Sequence, residues 1–426
     1  MADIISGKER FSGNKKAPIK KQNASKTKQV SAYYDYEDDD ARVKDNHKEA
    51  VIKHKLRVAA IVIIIAIIIA VVAAIAVKNI DNTQYTTYTV ENSLNREDLE
   101  SSAYLAYQSG YIRYSNDGIS YYNVDGVAQW NQTFSMQKPS VKICEDIIAV
   151  ADIDGTKVYT FDSQGLISSI DTSLTVLQIA VAKNGMVAAV LEDNNANYIN
   201  MYDKSGDKVY SVKTTLAGDG YPLDIDVSSD ATKLMASFVY VSGESIKTHV
   251  VFYNFSEVGQ NVTERVVGGF DHYGDVIVGD VEFITNDIAV AVGENVVSIY
   301  KIKEYPSLEK EITINEEIEK VFFSEKYIGV MVDNSSVGDL YKLMVYNTSG
   351  NQVCEMTFNT KYDNLSFDDN SIVLNNSSSI LLSNMTGKQL ANISIDMSID
   401  YVITTGKRAN YVVVNSKYIQ NIKLKP

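Results

Sequence analysis

DIIAVADIDGTKVYTFDSQG, residues 146–165, contains the unit that decides the fold of this chain. Its first run, IIAVA, is apolar without a break, which is typical of a strand buried on both faces. After a turn of Asp and Gly comes a second strand-like run, VYTF, which ends at Asp162-x-x-Gly165. Because Asp and Gly tolerate tight-turn geometry, this ending predicts a hairpin to a further strand.

The unit recurs along the chain, which makes the outer part of the protein a repeat. Eight copies of the apolar run are spaced 36 to 54 residues apart and begin at Gly110, Asp146, Gly185, Lys233, Asp287, Lys326, Ser371 and Asn410. The second run is clearest in YYNVDG, YTFDSQG, NMYDKSG and MVYNTSG. A period near 40–45 residues with four strands per unit is typical of a β-propeller. We predict an all-β propeller over residues 105–426 with eight blades, seven being the alternative; eight units of one kind argue against a pair of β-sandwiches.

The last repeat is one strand short when the chain reaches Pro426. Residues 78–104 form a spacer that contains QYTTYTV, residues 84–90, which alternates enough to be a strand. We predict that this strand completes the last blade from outside and so removes an open edge. Residues 95–105 are expected to form a short helix.

Upstream of the repeat lies a continuous apolar stretch, residues 58–77, built only from Val, Ala and Ile. Twenty residues of helix span about 30 Å, the thickness of the hydrocarbon core of a bilayer. A signal peptide with cleavage at Ala74-x-Ala76 is the alternative, but its leader and apolar core would both be too long. We therefore predict a retained, single-pass transmembrane helix. The positive-inside bias places the N-terminus in the cytoplasm and the propeller outside, since the basic residues near the helix precede it: Lys48, Lys53, Lys55 and Arg57.

The first 57 residues have few large apolar side chains, and we predict a disordered cytoplasmic tail. They carry 14 basic and 9 acidic residues, so the tail has a net charge of +5 and the rest of the chain −19. A basic stretch at residues 8–28 suits anionic lipid, and YYDYEDDD, residues 33–40, suits phosphorylation or a cytoplasmic protein. A solvated tail that only enforces topology is the simpler alternative. The acidic outer part makes nucleic acid an unsuitable partner.

The sequence of the outer domain contains no recognisable catalytic or metal-binding motif. Its two histidines, His249 and His272, are too few for a convincing zinc site, and Ser nucleophile elbows and phosphate-binding Gly-rich loops are missing. Three turns are rich in side-chain oxygens that could bind calcium: Asp152-Ile-Asp154-Gly155, Asp193-Asn194-Asn195 and Asp368-Asp369-Asn370. None of them continues to the bidentate Glu of a calcium-binding loop, so they are expected to be Asx turns. Asp224 and Asp226 alternate along a strand and would share one face. Cys144 and Cys354 fall in non-adjacent repeats and are predicted to be unpaired. We assign no catalytic, cofactor-binding or metal-binding residue, and no cofactor.

The segment WNQTFSMQKPSVKICEDIIAVADIDGTKVYTFDSQG, residues 130–165, behind a basic tail and one membrane helix, resembles an uncharacterised domain-of-unknown-function family. Its members are single-pass bacterial membrane proteins, mainly Gram-positive, with an outer propeller. The resemblance covers about residues 50–426 and implies topology and fold but no activity.

The aromatic-Asp-x-x-Gly turns also look like those of quinoprotein-type and WD40-like propellers. Gly126-x-x-x-Trp130 matches the end of the quinoprotein tryptophan-docking motif. However, Tyr122 and Asp125 stand where that motif has Asp and Thr, and no other Trp occurs. Trp130 is therefore expected to be a packing residue rather than part of a quinone site.

Three functions remain open. The first is a non-enzymatic binding or scaffold module of the cell envelope that binds a protein or a glycan at a propeller face. The second is a cell-surface hydrolase or lyase, which would require carboxylates with raised pKa values at the propeller channel. The third is a structural spacer. We favour the first, because the sequence contains no catalytic motif.

Overall fold

The computed structural model describes residues 51–72, 82–97, 101–336 and 338–426. The chain divides into two compact units, Met1–Ile75 and Ala76–Pro426. In the first unit lies α1 (Val51–Val72), the one helix of the described ranges that is long and apolar enough to cross a membrane. It already includes residues 51–57, which precede the predicted start at 58, because nothing in VIKHKLR breaks a helix. The rest of the predicted tail, residues 1–50, and the predicted helix end, residues 73–77, lie outside the described residues.

The second unit is an eight-bladed propeller of four-stranded antiparallel sheets. We letter the strands of each blade A to D from the channel outward. Blades 1 to 4 consist of β2 (Ala103–Tyr107), β3 (Gly110–Ser115), β4 (Gly118–Tyr122) and β5 (Ala128–Thr133); β6 (Pro139–Cys144), β7 (Ile147–Asp152), β8 (Lys157–Asp162) and β9 (Gly165–Asp171); β10 (Thr175–Val181), β11 (Val187–Asp193), β12 (Ala196–Tyr202) and β13 (Lys208–Thr215); and β14 (Tyr221–Val227), β15 (Lys233–Ser242), β16 (Ser245–Asn254) and β17 (Val266–Phe270).

Blades 5 to 8 complete the ring. They consist of β18 (Val278–Thr285), β19 (Ile288–Gly293), β20 (Val296–Ile302) and β21 (Pro306–Thr313); β22 (Ile318–Phe323), β23 (Tyr327–Asp333), β24 (Tyr341–Asn347) and β25 (Gln352–Phe358); β26 (Asn364–Asp368), β27 (Ser371–Asn375), β28 (Ser379–Asn384) and β29 (Gln389–Ser394); and β30 (Ile399–Thr404), β31 (Asn410–Asn415), β32 (Tyr418–Lys425) and β1 (Thr87–Asn95). Blade 4 alone has short helices in the described chain, α2 (Glu257–Gln260) and a 3-10 turn (Thr263–Arg265). The prediction of an all-β, eight-bladed propeller is confirmed.

The eight recurrent apolar runs form the B strands, each packed between two neighbouring blades. In β7, Ile148 and Val150 join the core shared with blade 1, while Ala149 and Ala151 join the core shared with blade 3. Because both faces of the strand are buried, the sequence shows an unbroken apolar run instead of alternation.

Turns of the Asn/Asp-x-x-Gly type connect strands C and D in five blades. In blade 6, the side-chain oxygen of Asn347 accepts hydrogen bonds from the backbone N–H groups of Ser349 and Asn351, each at 3.0 Å. Gly350 then adopts φ 75°, a conformation that Gly adopts without strain.

The two ends of the propeller meet in blade 8. Strand β1 pairs antiparallel with β32, from Thr87 opposite Lys425 to Asn95 opposite Tyr418, with one bulge between Val90 and Asn92. The strand thus lies at 87–95 and overlaps the stretch at 84–90. No helix forms at either described end of residues 95–105, since β1 extends to Asn95 and β2 begins at Ala103.

Strand direction gives the propeller two distinct faces. The BC face carries the B–C hairpins and the connections from strand D to the next strand A, and the CD face carries the A–B and C–D connections. Because β1 runs from the end of β32 back towards its start, the chain enters β1 at the CD face.

Candidate functional site

Side chains of the A strands form hydrogen bonds and ring contacts between neighbouring blades along the channel wall. Five of the eight A strands contain a β-bulge near their start, and the residues that follow the bulges are Gln178, Asp224, Asp280, Lys320 and Tyr401. A bulge redirects the next side chain. Three of these side chains reach the A strand of the next blade: Gln178 donates to the carbonyl of Leu223, Asp224 accepts from the N–H of Val281 at 2.9 Å, and the ring of Tyr401 lies 5.3 Å from that of Tyr104. Lys320 donates to the carbonyl of Tyr362, in the connection from blade 6 to blade 7, at 3.4 Å.

Blades 4 and 5 place four acids together on this wall. Asp224 and Asp226 lie on β14, and Asp280 and Glu282 lie on β18. The two acids of each pair are separated by one residue and therefore share one face of their strand, as predicted for Asp224 and Asp226. The carboxylate of Asp226 accepts the N–H of Phe283 at 2.7 Å, so β14 supplies acceptors to otherwise unpaired N–H groups of β18.

Burial perturbs the titration of this acid cluster. Desolvation raises the pKa of Asp224 to about 7, of Asp226 to about 6 and of Glu282 to about 9, and it raises the pKa of Asp280 as well. Mutual repulsion between the carboxylates acts in the same direction, while the backbone hydrogen bonds to Asp224 and Asp226 oppose it.

Lys142, on the A strand of blade 2, is attracted electrostatically by the same four acids. Desolvation disfavours its charge, but the summed attraction of the carboxylates outweighs this and raises its pKa. The cluster therefore combines four buried carboxyl groups of raised pKa with one lysine, and the hydrogen bonds that Asp224 and Asp226 accept from β18 hold two blades together.

The oxygen-rich turns considered for calcium are engaged in local structure. Asp152 accepts the N–H groups of Gln137 and Lys138, and Asp154 pairs with Lys138. Asp193 accepts the N–H of Asn194, and Asp368 is buried beside Tyr411. Within the described ranges no group of three or more His, Cys, Asp or Glu residues could hold a metal ion.

The remaining residues singled out in the sequence are dispersed. Trp130 stacks on Phe161 of the next blade at 5.1 Å, and Gly165 lies beside it, so this ring packs across the seam between blades 1 and 2. His249 stacks on Phe238, and His272 contacts Glu311 at 2.8 Å. Both cysteines are free thiols in blades 2 and 6.

Blade 4 carries a projecting hairpin on the BC face that sequence analysis missed. Its strands β15 and β16 have ten residues each, and their last three pairs extend beyond both β14 and β17. At the tip Val241 and Ile246 lie opposite each other, 75% and 56% exposed. An exposed apolar pair on a projecting ladder is a feature of protein contact surfaces. The available signal was the 54-residue spacing of this repeat, the longest of the series.

The chain belongs to a family of unknown function, DUF5711, whose model matches residues 81–424. No curated protein sequence matches this chain. Among solved structures, the propeller is similar to BamB from Moraxella catarrhalis, with 10% identity, a TM-score of 0.50, and coverage of 79% of this chain and 100% of that one. It is also similar to Chaetomium thermophilum Sqt1 bound to the N-terminus of the ribosomal protein L10, with 10% identity, a TM-score of 0.52, and coverage of 81% and 100%. At this identity the likeness establishes the fold alone.

Proposed function

We propose that this DUF5711 protein is a membrane-anchored propeller that acts as a non-enzymatic binding or scaffold module of the bacterial cell envelope. In this proposal α1 spans the cell membrane, the basic N-terminal side stays in the cytoplasm, and the propeller lies outside. The helix length, its apolar composition and the position of the flanking basic residues support this topology.

The observation that carries the binding role is the projecting hairpin of blade 4. Its apolar tip adds nothing to the core, and burying a side chain such as Val241 or Ile246 against a partner contributes about 1.5–3 kcal/mol. The free edges of the last three pairs also offer backbone hydrogen bonds to an added strand. A protein ligand is consistent with the fold, since the Sqt1 structure holds a peptide of a ribosomal protein.

Site-specific photo-crosslinking in intact cells tests this role. A photoreactive residue is placed at Val241 or Ile246 in the full-length chain, and a matched one at Val353, an exposed apolar position on the D strand of blade 6. We expect one reproducible envelope-protein adduct from the hairpin positions and none of that mass from Val353. Identical adduct patterns at all three positions would contradict the hairpin as the contact surface.

The acid cluster favours a second candidate, a hydrolase or lyase, because carboxylates with raised pKa values at the channel wall are what such a site requires. If this candidate is right, purified protein cleaves cell-wall glycans, and Asp226→Asn and Glu282→Gln abolish the cleavage while the protein remains folded.

A further inference from the structure

A second unusual feature of blade 4 lies on the CD face. The connection between β16 and β17 has eleven residues, 255–265, whereas the other continuous C–D connections have two to five. It contains α2 and the 3-10 turn. Asn254 anchors its start by accepting the N–H of Ser256 at 2.9 Å and donating to the carbonyl of Glu304 at 3.1 Å.

This insertion covers one side of a crevice between blades 3 and 4, which we call the blade 3–4 crevice. Its volume is about 310 Å³. Met186, Met201, Val209, Tyr210 and Phe255 form its apolar walls, and Arg265 lies at one side. Val209 is 52% exposed, so the mouth of the crevice is itself apolar.

The backbone of the insertion is strained where it presents Arg265. Glu264 and Arg265 have φ values of 53° and 58°, two successive non-glycine residues in the left-handed region. Such residues occur where the surrounding structure forces them and cluster at ligand-binding sites. Here the result is that the guanidinium lies over the rings of Tyr210 and Phe255, at 5.1 and 5.8 Å from their centroids.

The guanidinium of Arg265 has more hydrogen-bond donors than the described residues occupy. Its Nη1 donates to the carbonyl of Phe255 at 3.3 Å, and no carboxylate of the described residues forms an ion pair with it. Asp230 also lines the crevice, but its Oδ1 already accepts from Ser228 and from the backbone and side chain of Thr232. A guanidinium has five donors in a planar fork that matches a carboxylate.

We propose that the blade 3–4 crevice binds the free C-terminus of a partner protein that ends in an apolar residue. A C-terminal residue carries its carboxylate and its side chain on one Cα, so one residue can pair with Arg265 and place its side chain against the apolar walls, which include Met186 and Met201. Thioether side chains adapt to apolar groups of different shape. A phospholipid surface is less suitable, since the part of the chain after residue 57 has a net charge of −19 and repels anionic bilayers. The inference rests on the proposed binding role but uses a face that the blade 4 hairpin does not.

Fluorescence anisotropy with the full-length protein in neutral detergent tests the proposal. The probes are labelled hexapeptides ending in Leu, Phe or Met as free acids, and the same peptides as C-terminal amides. We expect at least one free acid to bind and its amide to bind at least 10-fold more weakly. Arg265→Gln should weaken the free acid at least 10-fold, and Arg265→Lys should weaken it less.

Control variants separate a lost contact from a lost fold. Val209→Glu changes an exposed side chain at the mouth and should weaken the free acid at least 5-fold by repulsion. Arg113→Gln, at an arginine stacked on Tyr122 in blade 1, should leave binding unchanged. Equal binding of acid and amide, unchanged binding in Arg265→Gln, no binding by any probe, or competition by phosphatidylglycerol vesicles would overturn the proposal. None of these results bears on crosslinking from the hairpin.

Discussion

Arg96→Ala tests whether the contacts between the two ends of the propeller hold the ring closed. Arg96 follows β1, and its side chain is 4% exposed. Its Nη1 lies 2.6 Å from Asp400 of β30 and 3.1 Å from the carbonyl of Asn415, and its guanidinium lies 5.5 Å from the ring centre of Tyr104 in blade 1. One side chain therefore joins the closing strand to blade 8 and blade 8 to blade 1.

The expected loss follows from these contacts. The bond to the Asn415 carbonyl contributes about 1 kcal/mol and the cation–π contact about 0.5–1 kcal/mol. The ion pair with Asp400 contributes about 1 kcal/mol, the upper end for solvent-exposed ion pairs, because Asp400 is 38% exposed and can be rehydrated. The sum is about 3 kcal/mol. For about 345 residues the entropy of unfolding is about 0.7 kcal/mol per kelvin, so the melting temperature should fall by about 4 °C.

Differential scanning calorimetry of the full-length protein in detergent measures this loss. Arg113→Ala is the matched control, since Arg113 stacks on Tyr122 within one blade, and it should lower the melting temperature by about 1 °C. A double-mutant cycle with Asp400→Asn should return a coupling energy of about 1 kcal/mol. An equal fall in melting temperature in Arg96→Ala and Arg113→Ala, or a coupling energy of zero with Asp400, would refute the role of Arg96 in joining blade 8 to β1 and to blade 1.

Three further predictions concern the acid cluster, the only tryptophan and the thiols. In the folded state the pKa of Asp224 is raised to about 7 and that of Glu282 to about 9, so the folded protein retains protons that the unfolded chain releases near pH 4. The free energy of unfolding should therefore fall as pH rises from about 4 to 9. The slope is up to about 1.4 kcal/mol per pH unit for each proton retained. Thermal melts against pH should show this slope and a flatter one in Asp224→Asn; a slope of opposite sign would contradict the assignment. Trp130→Ala should cost about 3 kcal/mol, less in Trp130→Phe, by urea denaturation followed by circular dichroism, because Trp130 packs on Phe161 across a blade seam; equal stability of the two variants would count against that role. Burial raises the pKa of both thiols, that of Cys354 to about 11, so alkylation at pH 8 should be slow in the native protein. It should be slower at Cys354, which is 4% exposed, than at the half-buried Cys144. Mass spectrometry of the labelled peptides decides the order.

The fold could be predicted because each B strand is apolar on both faces and five of the C–D turns carry the Asn/Asp-x-x-Gly pattern. The position of β1 was less accessible, since its side chains are mostly exposed or half-buried and a bulge interrupts its register. Asp224 and Asp226 were placed on one face, but their partners Asp280 and Glu282 lie in the next repeat, and only the blade order brings them together. The similar spacing in LDID and GDVE was the available signal. The blade 3–4 crevice depends on two left-handed residues in a loop, Glu264 and Arg265, which local sequence does not specify.

The pairing of β1 with β32 also sets an order on folding during synthesis. Blades 1 to 7 are each made of four consecutive strands, so each can form its hairpins as soon as its own residues have left the ribosome. Strand β1 is made before all of them but has no partner until Tyr418–Lys425 is complete. The nascent chain therefore carries an unpaired strand for nearly its whole elongation, and premature termination anywhere in the repeats leaves an edge open to other chains. Completion of the last eight strand residues is what makes the protein a closed ring.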